Sequence, residues 1–255
     1  MATPKPQLRI RAATQADATT LAEIHSAAFG PDIISQLLFP GGITEDGKAK
    51  TAYWMFPPPD PDPKAATPER LIMVAELVPE DGPADAPGEV VAFAKWTLRR
   101  KPIPEEQWNA DPPIEAGMLG EGSNIEVYKW FNGTLHRRFR EIAQGDPMLY
   151  LGVLVCLPHR QRLGAGSALL RWGTDLADSL GLISWLEASP YGYHLYKRHG
   201  YEDVAVIDFK VTETWGAKKA EGWNWGEKCA LELGGPLPEG EMRTVIMKRV
   251  PNKAA

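Results

Sequence analysis

The chain has 255 residues, 44% of them hydrophobic, with a formal net charge of -5 and a pI near 5.6. That length bounds one large or two small domains, and the acidic balance gives no general attraction to nucleic acid or an anionic membrane. Two cysteines, Cys156 and Cys229, support no disulfide framework, and the N-terminus has no signal-peptide core, so a soluble protein of a reducing compartment, the cytoplasm, is expected.

Residues 1–7 read as a loose tail, after which Leu8-Arg9-Ile10-Arg11 alternates as a half-buried strand. Thr14 and Asp17 have capping-box spacing, and Ala18, Leu21, Ile24 and Ala28 form the apolar stripe of a helix. His25 on that helix reads as a surface or half-buried imidazole. Residues 30–70, with the proline run 57–63, read as an extended loop. Trp54 and Phe56 in it are candidates for an aromatic wall.

Leu71–Val78 and Val90–Leu98 are expected to be an antiparallel strand pair, with Lys95 and Trp96 on opposite faces. Four prolines make 99–123 irregular. Ile125, Tyr128, Phe131, Leu135, Phe139 and Ile142 then recur at helical intervals. Arg137, Arg138 and Arg140 on that helix, flanked by Glu126 and Glu141, read as a solvated face and not as a polyanion site.

Leu149–Leu157 is a continuous apolar run, as expected of a strand covered on both sides, and Pro158 ends it. A helix follows, with Leu169, Trp172, Gly173, Leu176 and Leu180 on one face and Gly181 at its C-cap. Between them lies Gln161-Arg162-Leu163-Gly164-Ala165-Gly166. Its glycines allow tight backbone geometry, and the helix N-terminus offers unpaired N–H groups and a positive dipole end, a setting suited to a pyrophosphate. Arg160 and Arg162 add positive charge. A dinucleotide fingerprint fits poorly, because its third glycine would fall at Leu169. Downstream, 182–186 reads as a strand, 191–199 as a helix, 203–211 as a strand, and 242–250 as the closing strand. The segment between the last two holds Trp215, Trp223 and Trp225.

Gln161, Gly164 and Gly166 resemble the coenzyme A motif of the GNAT superfamily of N-acetyltransferases. Leu186-Glu187-Ala188-Ser189-Pro190 followed by Leu195-Tyr196 and Gly200-Tyr201 is similar to the second motif of that family. The string around Ala177-Asp178, Gly181-Leu182 and LEASP looks like fungal members. The resemblance implies an α/β GNAT fold: a mixed, mostly antiparallel central sheet flanked by helices on both faces. It would form one domain over 1–255, with 99–147 an insertion carrying one helix and 212–241 a C-terminal loop insertion. Acetyl-CoA is the implied cofactor, with direct transfer in a ternary complex; the tryptophans and prolines clustered in the segments expected to border the pocket, with the acidic balance, make a small-molecule primary amine the expected acceptor. A non-catalytic acyl-CoA sensor of the same fold is the alternative.

Under that resemblance the main chain of Arg162, Leu163, Gly164, Ala165, Gly166 and Ser167 would hold the pyrophosphate, with Gln161 preceding it. The strand backbone at Val155, Cys156 and Leu157 would take the pantetheine arm and the thioester oxygen. Tyr196 aligns with the family tyrosine that protonates the leaving thiolate. Ser189 stands where many members have an asparagine that contacts the cofactor. The general base is open: Glu187 is one candidate, Glu126 another, and a water relay a third. No His/Cys cluster has zinc spacing, so no metal is expected. The acceptor pocket is expected from 30–60, the 125–142 helix and the tryptophan loop, and the oligomeric state is open between monomer and homodimer.

Overall fold

The apolar run of the sequence analysis becomes the middle strand of a seven-stranded sheet in a computed structural model that describes residues 7–57, 68–79, 86–111, 113–114 and 117–252. The strands are β1 (Gln7–Ala12), β2 (Glu69–Val78), β3 (Glu89–Arg99), β4 (Met148–Cys156), β5 (Ile183–Ala188), β6 (Glu202–Phe209) and β7 (Met242–Arg249). Their order is β1-β2-β3-β4-β5-β7-β6, antiparallel throughout except for the β4–β5 pair. The expected α/β class with a mixed, mostly antiparallel sheet is what the structure shows.

Helices cover both faces. On one lies α6 (Ala165–Leu180), whose Leu169 and Leu170 are fully buried against Trp96, Leu149 and Leu151. The fit is close, since a Cβ on Gly173 would stand 2.0 Å from the Trp96 ring. The short α7 (Tyr193–Arg198) packs into the same cluster through Tyr193 and Tyr196. The other face carries α1 (Ala18–Phe29) and α3 (Glu45–Met55) over Phe93, Val153 and Val155. Farther along it lies α5 (Ile125–Ala143), where Phe139 packs on Tyr150 and Trp185.

The first helix enters through the expected box: Thr14 N–H and Oγ1 both donate to Asp17 Oδ2, at 2.7 and 3.1 Å. Arg11 grips Asp17 and Glu76 together, tying β1 to β2 and to α1.

Residues 30–57 are not a plain extended loop. They form α2 (Ile33–Leu38) and α3, each started by a side chain: Asp32 accepts from Ile34 N–H at 2.9 Å, and Thr44 Oγ1 from Gly47 N–H at 3.1 Å. Both helices are too short for a periodic signal, so capping and tertiary burial decide them. The proline run beyond Pro57 and the tail 1–6 lie outside the described residues, and Gln7 already belongs to β1. The 99–147 segment holds a one-turn helix, α4 (Glu105–Trp108), as well as α5, and the 212–241 segment holds α9 (Leu231–Gly234), following α8 (Val211–Trp215). Buried Arg243 organises that last segment. It makes a bidentate pair with Asp208, both bonds 2.7 Å, and donates to the carbonyls of Cys229, Gly234 and Gly235.

Candidate active site

The site grows from one extra residue. Lys95 on β3 pairs with Val153 and the next residue, Trp96, with Leu151, so Gly152 of β4 is left over as a β-bulge. Beyond this point β4 and β5 part. Their ladder runs only from Met148–Ile183 to Leu151–Leu186, while β4 continues to Cys156 paired with β3 alone. Leu157 N–H donates to the Val91 carbonyl at 2.8 Å. Antiparallel alternation from that pair turns the main chain of Val153 and Val155 toward β3 and that of Leu154 and Cys156 into the gap. Of the expected trio Val155, Cys156 and Leu157, the main chain of Cys156 turns to the gap, as does that of Leu154, while Val155 and Leu157 direct their N–H groups to β3.

The glycine loop follows. Arg162 and Gly164 both lie in the left-handed region, at φ 65° and 87°. Gln161, Leu163 and Gly164 are exposed. Ala168 N–H makes the first intrahelical bond of α6, to the Gly164 carbonyl at 2.9 Å, leaving the N–H groups of Ala165, Gly166 and Ser167 ahead of it. Gly166 N–H is directed at the Cys156 thiol, whose pKa burial pushes up. Arg160 turns away to pair with Glu89, at 2.8 Å, so its charge is not free for the loop.

Glu187, on β5, reaches across the gap to β4. Tyr150 Oη donates to its Oε2 at 2.7 Å, while its Oε1 is shut off from solvent without a partner. Desolvation outweighs that hydrogen bond and pushes the carboxyl up to about 7. Tyr196 is 7% exposed, stacks edge-on to Tyr201 at 6.0 Å, and its hydroxyl makes no hydrogen bond among the described residues. Burial, with Tyr201 and Cys156 nearby, raises its pKa well above the ordinary phenol value, so it is a proton donor at neutral pH. Ser189 opens the turn into α7, its carbonyl accepting from the N–H groups of Gly192 and Tyr193 at 3.1 Å. Glu126 is exposed and paired with Lys129 on the surface of α5, away from this cluster.

Tyr150 was not legible as a site residue, because only the parallel register of β4 and β5 brings it to Glu187. The tryptophan loop is also different from an open aromatic wall. Trp225 is 3% exposed, and Trp223 joins it in a cluster with α2, α5 and Phe209. Trp215 stacks on Trp130. A cavity of about 460 Å³ does lie between 30–43 and 217–218, lined by Ile33, Gln36, Leu37, Phe39 and Lys218 among others, but by none of those tryptophans and by neither Glu187 nor Tyr196.

By sequence the chain matches no protein-family profile and no curated protein. By structure it is similar to a Drosophila melanogaster polyamine N-acetyltransferase that forms N-acetylagmatine: TM-score 0.54 and 13% identity over 96% of this chain and 100% of that one. A mosquito arylalkylamine N-acetyltransferase-like protein gives a TM-score of 0.51 at 13% identity, over 96% and 100% of the two chains. The chain has the GNAT fold. The C-terminal condensation domain of Ebony, solved with beta-alanyl-dopamine, is similar at a TM-score of 0.54 and 11% identity, covering 96% of this chain and 99% of that one. At these identities the likeness speaks for the GNAT fold and leaves the chemistry to the site. Among the described residues no group of His, Cys, Asp and Glu is placed to hold a metal, and no helix is long and apolar enough to cross a membrane.

Proposed function

We propose that the chain is an acetyl-CoA-dependent N-acetyltransferase acting on a small primary amine by direct transfer in a ternary complex. The observation that carries this reading is the parting of β4 and β5 at Gly152. It leaves main-chain groups of Leu154 and Cys156 unpaired between a glycine loop on one side and the Glu187–Tyr150 pair on the other. A buried strand edge without a strand beside it requires an outside partner. An extended amide-bearing arm such as pantetheine meets that need, and the loop from Gln161 to Ser167 fits its pyrophosphate, since Gly164 has nothing nearer to a Cβ than Leu8 at 3.7 Å.

Acetyl-CoA, when bound, supplies the thioester carbonyl carbon that the amine attacks. Glu187 takes a proton from the amine on its free Oε1. Tyr150 fixes the carboxylate by holding Oε2. Tyr196 gives its phenolic proton to the departing sulfur. Ser189 sets the start of α7 and so the place of Tyr196. Structural likeness to a polyamine N-acetyltransferase and to an arylalkylamine N-acetyltransferase-like protein agrees with an amine acceptor. In this reading 1–255 forms one domain with 99–147 and 212–241 inserted, and two unpaired cysteines suit the cytoplasm.

The test is thermal unfolding with acetyl-CoA, then thiol release across primary amines. Acetyl-CoA is expected to raise Tm by mass action, and Gly164→Glu, which puts an acidic side chain at φ 87° in the loop, to abolish the rise. A full rise in the folded variant places the phosphates elsewhere. Tight binding with no acceptor for any amine turns the reading toward a non-catalytic sensor.

A further inference from the structure

Gly152 is exposed in the middle of a seven-stranded sheet. A Cβ there would meet the Tyr150 ring at 3.4 Å and the Lys95 carbonyl at 3.9 Å. The sheet therefore has an open floor at its bulge, on the face covered elsewhere by α1, α3 and α5. Glu187 flanks that floor on the β5 side, with one oxygen unpartnered. Lys95 flanks it on the β3 side.

Lys95 is an unusual residue for a central strand. It is 6% exposed, and its cross-strand neighbours are Ile72 and Val153. Among the described residues its ammonium makes no hydrogen bond and no ion pair. Its partner is the Trp54 ring of α3, 2.9 Å from Nζ to the centroid. The charged or titratable groups that face it are Arg70 from β2 and His25 from α1; β4 offers only Val153, and no carboxylate faces it from any of these elements. Burial and Arg70 push its pKa down to about 7, while burial and Lys95 push His25 down to about 4. An ammonium so little exposed and without a counter-ion is costly, and a methionine would fill the same position without that cost. The arrangement is half of an ion pair. Trp54, its cover, is itself 46% exposed, so turning one side chain opens a path to Nζ.

We propose that Lys95 is the receptor for a carboxylate on the acceptor, which makes the acceptor a small amino acid lying across Gly152 with its amine toward Glu187. The inference rests on the acetyl-transfer reading for the role of the amine. A second ammonium, as in a diamine, would meet Arg70 and Lys95 with like charge, so the proposal separates this chain from a polyamine enzyme. Because a carboxylate needs the charged lysine, binding above pH 7 takes up a proton.

The experiment uses the full chain with acetyl-CoA and a panel of amino acids, each beside its decarboxylated amine. The wild type is expected to favour the acid-bearing member by about 10- to 100-fold in kcat/KM, the range of a charge-assisted contact. Lys95→Met and Lys95→Gln should each collapse that ratio to near one. Preference for the decarboxylated amines, or an unchanged ratio in either folded variant, overturns the proposal. If acetyl-CoA binds but no amine is turned over, the transfer reading fails separately, and calorimetry with the same amino acids decides. Binding that takes up a proton and is lost in Lys95→Met upholds the carboxylate site, and no binding overturns it.

Discussion

Replacing Glu187 by glutamine tests the site through pH, because the two forms of the carboxyl differ in both stability and chemistry. Desolvation raises its folded pKa from 4.5 to about 7, and one unit is worth about 1.4 kcal/mol, so the shift corresponds to about 3 kcal/mol. The unfolded chain ionises first, with its pKa at the ordinary value. The folded state therefore holds more protons between 4.5 and about 7, and this contribution is fully present below 4.5 and lost as pH rises through about 7. Glu187→Gln carries no such loss. Urea unfolding at pH 4.5 and pH 8.5 is expected to show the variant gaining about 3 kcal/mol on the wild type between the two. Initial rates at saturating acceptor give the other half: wild-type kcat should rise with pH through about 7, as the base ionises. In Glu187→Gln both the limb and most of the rate should be gone. Parallel stability profiles for the two proteins, or an intact rate limb in the variant, would refute the buried-base argument.

Tyr196→Phe removes a proton donor and little packing, so kcat should fall by on the order of 10²-fold with acetyl-CoA affinity nearly unchanged; full turnover assigns Tyr196 to the core. Gly173→Ala puts a methyl where Trp96 already stands, 2.0 Å from the ideal Cβ. Overpacking of this kind costs about 1–3 kcal/mol and outweighs the roughly 1 kcal/mol that alanine adds to a helix, so urea unfolding should show a net loss, and a stabilised variant would place α6 farther from the sheet. Arg243→Met leaves Asp208 and three carbonyls without their donor. A loss of about 3–5 kcal/mol is expected, with proteolysis opening first within 212–241; an unchanged Tm would show that the loop is held by its apolar cluster alone.

The parts legible in the sequence are those whose signal is local. The glycine loop, α6 and its Gly181 cap are contiguous, and a helical period over 16 residues cannot easily be mimicked by another element. α2 and α3 were missed because 6 and 11 residues give no such period and their starts rest on single caps. Glu187 could be named as a candidate from its place beside the second motif, but its partner Tyr150 is 37 residues away and joins it only through strand register. Lys95 leaves a trace in the sequence that gives its facing and not its role: a charge inside Val-Val-Ala-Phe-Ala-Lys-Trp, a run otherwise covered on both sides.

The bulge explains why the site lies where it does. Strict alternation along β4 would put Leu149, Leu151, Val153 and Val155 on one face. Instead Leu149, Leu151, Leu154 and Cys156 pack toward α6, and Val153 and Val155 pack beneath α1. The change of parity occurs at Gly152, where two residues of β4 answer one step on β3. A bulged strand bends and twists more strongly, which is also where β4 leaves β5. Glycine at that position keeps the floor clear between Lys95 and Glu187, and any side chain there would grow from the Cβ already 3.4 Å from the Tyr150 ring. One inserted residue thus turns a closed central strand into an edge and an open floor in the middle of the sheet, with Lys95 on the β3 side and Glu187 on the β5 side.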